Sequence, residues 1–134
     1  MAALTIDASV AVRIVRDAVA HAVLLDRLSA ADAVYAPSLF VVETANALWK
    51  YVRTHHLTEA DAIAMHRDAS ALVDRAVDSA DLFPEAMLLA SQLRHPVYDS
   101  LYLVTARRTG STLLTFDRTL AGLARKLGIV VEAE

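Results

Sequence analysis

The chain has 134 residues, is 56% hydrophobic and contains no cysteine, so it holds enough apolar material for one ordinary core, while a disulfide framework or a thiolate metal site is excluded. Sixteen acidic against 13 basic side chains leave a formal charge of -3, so the protein as a whole does not project the basic field that draws nucleic acid to a surface. The start, Met-Ala-Ala-Leu-Thr-Ile-Asp, has no basic region and reaches an acid within one strand length, unlike a signal peptide, and no apolar run approaches the roughly 20 residues that span a bilayer. The expectation is one domain over 1–134, cytoplasmic and without a membrane partner.

A β-rich run at Leu4-Thr5-Ile6 leads to Asp7, and helical patterns follow over 9–15 and 19–29. A second strand over 33–36 precedes two helices, 39–53 and 59–74, that form an αα-hairpin; Thr58 with Asp61 makes a capping-box pattern at the start of the second. A third strand over 76–77 comes next, then a helix over 83–93 with Pro84 expected in its first turn, and another over 100–108 that Gly110 ends. A strand over 113–116, a helix over 120–127 followed by Gly128, and a strand over 129–131 complete the chain. Strands alternating with helices imply βαβ units, hence an α/β fold: a three-layer α/β/α sandwich with a mainly parallel sheet of about five strands. Three Gly and three Pro leave no linker, repeat or low-complexity tract to divide it.

In an open parallel sheet, ligands bind beyond the carboxyl ends of the strands. Asp7 ends the first strand and Asp117 the fourth; Glu43 sits in the first turns of the helix after strand two, and Asp99 opens the helix that leads toward strand four. All four acids are expected at one edge. Asp7, Asp99 and Asp117 each precede a helical pattern and would serve equally as N-caps. Glu43 is different: it interrupts Phe40-Val41-Val42, where a buried carboxylate requires a cation or a basic partner. Carboxylates brought together repel unless a divalent ion neutralises them, and an all-oxygen set favours Mg²⁺ or Mn²⁺, ions suited to phosphate chemistry.

The stretches Ile-Asp-Ala-Ser, Val-Val-Glu-Thr-Ala-Asn-Ala-Leu, Tyr-Asp-Ser-Leu-Tyr-Leu and Leu-Leu-Thr-Phe-Asp-Arg-Thr-Leu, in that order, resemble a PIN domain, most of all the VapC-type toxins. The resemblance runs from about Leu4 to Val131, and its third and fourth motifs are the most specific. It implies an endoribonuclease, the toxin of a type II toxin-antitoxin pair, binding Mg²⁺ or Mn²⁺ through Asp7 and Asp99 as principal ligands, with Glu43 and Asp117 completing the pocket. Thr115 and Ser9 would be hydrogen-bonding helpers. It further implies a homodimer, an RNA substrate and a cognate antitoxin whose C-terminal segment occupies the toxin's groove.

With an acidic net charge, RNA contact must come from a local patch, for which Arg13, Arg16, Arg107, Arg108 and Arg118 near the active edge are candidates. Arg107 and Arg108 also suit a basic last turn on the helix dipole. Asn46, three residues after Glu43, shares its helical face and could hold the carboxylate or a water. Tyr98, Tyr102 and Trp49 are read as packing residues rather than base-stacking platforms. The five histidines form no metal-ligand spacing and receive no catalytic role. A receiver domain would need a second acid beside Asp7, an Asp-x-Asp phosphatase an acid where Ser9 stands, and a serine hydrolase a Gly-x-Ser-x-Gly elbow that the sequence lacks. The remaining alternative is a catalytically silent PIN-like module that acts through RNA or protein contacts, its acids serving as caps or a structural metal site.

Overall fold

The computed structural model describes residues 2–133. Five strands, β1 (Leu4–Ile6), β2 (Val34–Pro37), β3 (Arg75–Val77), β4 (Thr112–Thr115) and β5 (Val131–Ala133), form one sheet in the order β3-β2-β1-β4-β5, every pair parallel. The helices are α1 (Ala8–Arg16), α2 (Ala22–Ala30), α3 (Leu39–Arg53), α4 (Glu59–Ala71), α5 (Ser79–Leu93), α6 (Val97–Thr109) and α7 (Arg118–Lys126). The chain grows from β1 outward to β3 and then returns across β1 to build β4 and β5, so strand order reverses beside β1. Right-handed crossovers put α1 to α4 on one face and α5 and α6 on the other, which is the expected three-layer α/β/α arrangement. Pairing sets Ile6 beside Leu114, so the next residues, Asp7 and Thr115, emerge side by side at the point of reversal.

The core forms where both faces of the central strands are covered. Leu4, Ile6, Val34, Ala36, Leu113 and Leu114 are all buried, the near-continuous apolar pattern of a parallel sheet. Helix α6 lies on β1, β2 and β4 and is buried from Ser100 to Ala106, while α1 packs against α3 and α4, where Val12, Leu48 and Ala62 make a smaller second cluster. Among the described residues no helix is long and apolar enough to cross a membrane.

Several boundaries differ from the sequence pattern, each for a local reason. Helix α2 starts at Ala22 and not at residue 19, because the Asp17 carboxylate accepts from the Ala20 N–H at 3.1 Å and holds a turn, leaving Val19 exposed. Helix α4 stops at Ala71, since Asp74 is used by the sheet: its N–H donates to the Val34 carbonyl and its carboxylate accepts from the Val34 N–H at 2.8 Å. Helix α5 begins at Ser79, capped by Asp78, so Pro84 lies inside the helix rather than in its first turn. Helix α6 begins at Val97 behind Pro96, which moves Asp99 from the helix boundary into its first turn. Thr58 does cap α4, accepting from the Asp61 N–H at 3.1 Å, and Gly110 and Gly128 both take positive φ after helices, as the C′ pattern requires.

Candidate active site

The carboxyl ends of β1 and β4 are tied together by Asp7. Its Oδ1 accepts from Ser9 Oγ at 2.5 Å and from the Val10 N–H at 3.2 Å, capping α1, while its Oδ2 accepts from Thr115 Oγ1 at 2.5 Å. The two hydroxyls are themselves fixed from the turn after β4: Ser9 Oγ accepts from the Phe116 N–H at 3.0 Å and Thr115 Oγ1 from the Asp117 N–H at 2.9 Å. Asp117 caps α7, its Oδ1 accepting from the Thr119 and Leu120 N–H groups at 2.9 and 3.1 Å. Burial pushes the Asp7 carboxyl above its ordinary value; the Ser9, Thr115 and Val10 hydrogen bonds oppose this and the charge of Asp117 adds to it.

Two helices bring the other acids. Glu43 is in the second turn of α3, and Tyr102 Oη on α6 donates to its Oε1 at 2.5 Å. The apolar run before Glu43 is not the buried setting its sequence suggested, since Val41 and Val42 are exposed and only Phe40 enters the core. Glu43 is partly buried and its partner is a phenol rather than a basic residue. Burial raises the Glu43 carboxyl, opposed by the Tyr102 hydrogen bond and reinforced by the charges of Asp99 and Asp7. Burial raises the Tyr102 phenol as well, keeping it a neutral donor. Asp99 is not an N-cap; its Oδ2 pairs at 2.5 Å with Nε2 of His95, four residues earlier in the turn before α6.

Asp7, Glu43, Asp99 and Asp117 line one cavity of about 250 Å³, with Ser9, Asn46, Lys50 and Tyr102 also on its wall. Glu43, Asp99 and Asp117 share a pattern. One oxygen is hydrogen-bonded, and the other has no protein partner among the described residues. Nor does any Arg or Lys form an ion pair with the four acids among the described residues. The donor set is therefore hard oxygen carrying uncompensated negative charge, the chemistry that Mg²⁺ or Mn²⁺ satisfies. The acids ring an open cavity rather than a closed cluster, and among the described residues no three acidic or histidine side chains already stand at chelating positions.

This arrangement of acids at the reversal of a five-stranded parallel sheet can be set beside known proteins. The model of the PIN domain family matches residues 4–126. The chain belongs to the PIN-domain family. It is 32% identical over 96 residues to Ribonuclease VapC3 from Pyrobaculum aerophilum, covering 70% of this chain and 73% of that protein. In fold it is similar to the crystal structure of PAE2754 from Pyrobaculum aerophilum, with a TM-score of 0.75, 21% identity and coverage of 97% of this chain and 90% of the other.

The arginines of this PIN domain separate into two groups. Arg13 on α1 lies over the Phe116 ring, 4.0 Å from its centroid, and Arg16 lies over Tyr51 at 3.7 Å. Arg118 begins α7, directly after Asp117, and is exposed. Arg107 and Arg108 do not belong to the active edge. They occupy the last turn of α6, roughly 12 Å along the helix from Asp99, and both guanidinium groups bind Glu85 of α5, at 2.6 and 2.8 Å. These partners, Arg107 first, hold the Glu85 carboxyl below its usual range.

Two residues of the site, His95 and Lys50, receive no role from the sequence, and Tyr102 is read there only as a packing residue. His95, Asp99 and Tyr102 stand at i, i+4 and i+7, and Lys50 stands seven residues after Glu43. For Tyr102 and Lys50 the available signal was spacing along one helical face; His95 lies in the turn before α6, four residues from Asp99. Tyr102 is a packing residue, as expected, being 2% exposed, but its hydroxyl also serves the pocket.

Proposed function

We propose that this PIN domain is a Mg²⁺- or Mn²⁺-dependent endoribonuclease, the toxin of a type II toxin-antitoxin pair. One observation carries the reading: four carboxylates from four separate elements converge on one cavity, and three of them keep an oxygen free of any protein partner among the described residues. Similarity to a protein named as a VapC ribonuclease supports RNA as the substrate.

Asp7 and Asp99 would be the principal metal ligands, with Glu43 and Asp117 completing the pocket directly or through water. Such an ion, when bound, would supply a water of lowered pKa and stabilise charge on the phosphoryl oxygens. Ser9 and Thr115 hold the Asp7 carboxylate in place, so its remaining lone pairs face a fixed direction. Tyr102 holds Glu43 and His95 holds Asp99 in the same manner. The Asn46 side chain has no hydrogen-bond partner among the described residues and offers its amide to a bound water or a phosphate oxygen. Arg13, Arg16 and Arg118 remain as phosphate contacts beside the pocket. By family resemblance the working protein is a cytoplasmic homodimer, held inactive by an antitoxin segment in its groove.

The silent binding module is favoured by one observation, that Asp7 and Asp117 already serve as helix caps. Cleavage of a mixed RNA pool by antitoxin-free protein in Mg²⁺, Mn²⁺ or EDTA, beside Asp99→Asn prepared identically, separates the two. The nuclease reading expects metal-dependent cutting that the variant loses. RNA binding without cutting in any metal would establish the module instead, and equal cutting by both proteins would mean a contaminant and leave the proposed mechanism without support.

A further inference from the structure

Helices α1 and α3 both start at the acid pocket and run away from it side by side, Asp7 and Ser9 at the head of one and Glu43 near the head of the other. Between them lies a groove of about 510 Å³ that opens from the pocket, the two sharing Ala8, Ser9, Ala47 and Lys50 as wall. Beyond that shared wall its charged lining is Arg13 and Arg53, and no acidic side chain is among its lining residues. In a chain of net charge -3 this is a local reversal of sign, placed against the four acids.

The cations of this region are arranged rather than scattered. Arg13 is stacked on Phe116, Arg16 on Tyr51, and Arg53 lies 5.3 Å from the centroid of Trp49. Stacking fixes the guanidinium plane and leaves its edge N–H groups free for an anion. Among the described residues, Arg13, Arg16, Lys50 and Arg53 form no ion pair with an acid, in contrast to Arg107 and Arg108. The axial distance from Glu43 to Arg53 is about 15 Å, longer than a single phosphate group requires.

We infer that the α1–α3 groove is the track for one flank of a single-stranded RNA, with Lys50 on the phosphate next to the cut and Arg13 and Arg53 on those that follow. This rests on the ribonuclease reading of the acid pocket and adds to it a direction: the substrate strand is held on one side of the scissile bond more than on the other. Lys50 marks the junction, because it alone among the cations belongs to both the acid cavity and the groove. A single strand suits a groove walled by two helices and floored by small side chains, where a duplex would meet both helices at once.

The test is the salt dependence of binding. Labelled single-stranded RNA of mixed sequence is titrated with the wild type, Lys50→Ala, Arg53→Ala and the double variant in EDTA, so that no strand is cut. Each lost phosphate contact lowers the slope of log affinity against log salt by about 0.7, and weakens binding about four-fold at 0.15 M salt. Lys50→Arg restores the slope, and the exposed positions leave the melting temperature close to wild type. With an RNA whose cut site has first been mapped using wild type in Mn²⁺, trimming from one end of that site abolishes the difference between wild type and the double variant in EDTA, whereas trimming from the other end preserves it. Slopes unchanged in the double variant, with the wild type still cutting RNA, overturn the track alone. A wild type that neither binds nor cuts any RNA overturns the ribonuclease reading as well. Salt-sensitive binding of a polyglutamate peptide that the variants lose, while RNA binding is unaltered, would assign the groove to an acidic protein segment and overturn the track.

Discussion

Thr115 Oγ1 donates to Asp7 Oδ2 at 2.5 Å and accepts the Asp117 N–H at 2.9 Å, so one hydroxyl joins the acid at the end of β1 to the acid after β4. The contact is buried and spans the central strand pair, where the chain reverses its strand order. Removing it leaves a buried carboxylate oxygen and a backbone N–H without partners, which costs about 1–3 kcal/mol for each such group. Thr115→Val is expected to lower stability by about 2 kcal/mol or more, one such cost for each of the two groups, and to reduce metal-dependent cleavage about 10- to 100-fold, while Thr115→Ser preserves both. Chemical denaturation with parallel cleavage assays checks this; a Val variant as active as wild type would show that Asp7 needs no such support.

The metal-free protein is expected to be more stable in mild acid than at neutral pH, as far as Asp7 and Glu43 contribute. Burial raises both carboxyls above their ordinary values of 3.8 and 4.5. A raised pKa means the folded state binds the proton more tightly than the unfolded chain. That stability is fully present below the ordinary value and is lost as pH climbs through the raised one. Melting curves in EDTA from acid to neutral pH should show the loss. Asp7→Asn, which has no charge to bury, should flatten the curve and melt higher than wild type at neutral pH, while failing to gain stability from Mn²⁺. A variant that melts lower at neutral pH without metal would contradict the desolvation of Asp7.

Tyr102→Phe keeps the ring in the core and deletes only the donor to Glu43. The ring is 2% exposed, so packing is nearly unchanged. Glu43 then loses the hydrogen bond that opposes its raised proton affinity, and its carboxyl should rise further. Cleavage is expected to fall about ten-fold or more, with the acid limb of its pH profile displaced upward. An undisplaced limb would separate Tyr102 from the chemistry.

His95 contacts Asp99 through Nε2, and in the tautomer that carries its proton there it donates to the carboxylate. His95→Ala should weaken Mn²⁺ affinity about 10- to 100-fold, read by calorimetry on the uncleaving protein with no RNA present. His95→Gln, which can present a donor at similar reach, should recover part of it. Equal affinity in all three proteins would reduce the pair to a helix-surface contact.

The paired substitution Arg107→Ala with Arg108→Ala should leave RNA affinity and its salt slope at wild-type values. Both side chains are exposed and already engaged by Glu85, and exposed ion pairs contribute about 1 kcal/mol or less. A reduced salt slope would return them to the RNA interface.

The sequence by itself determined the architecture and the four acids. Alternating apolar runs and helical periods required a parallel sheet with helices on both faces, and Asp7 and Asp117 follow strands whose carboxyl ends must share an edge. These features are local, because period and capping are written within a few residues of each other. It also marked the end of α6 at Gly110, where positive φ favours glycine.

What the tertiary structure decided is everything that depends on partners distant in the chain. Ser9 and Thr115 are 106 residues apart, yet both hold Asp7, because parallel pairing of β1 with β4 sets them side by side. Tyr102 reaches Glu43 only because the sheet brings α6 and α3 from its two faces to one cavity, and no pattern within either helix encodes that meeting. Arg107, Arg108 and Arg13 are all candidate phosphate contacts in sequence, the first two also suiting a helix's basic last turn. The difference is that α5 packs along α6 and brings Glu85 to Arg107 and Arg108, whereas α1 leaves Arg13 stacked on an aromatic ring with no ion pair among the described residues. Charge is legible in a sequence; whether that charge is neutralised depends on which helix the fold lays next to it.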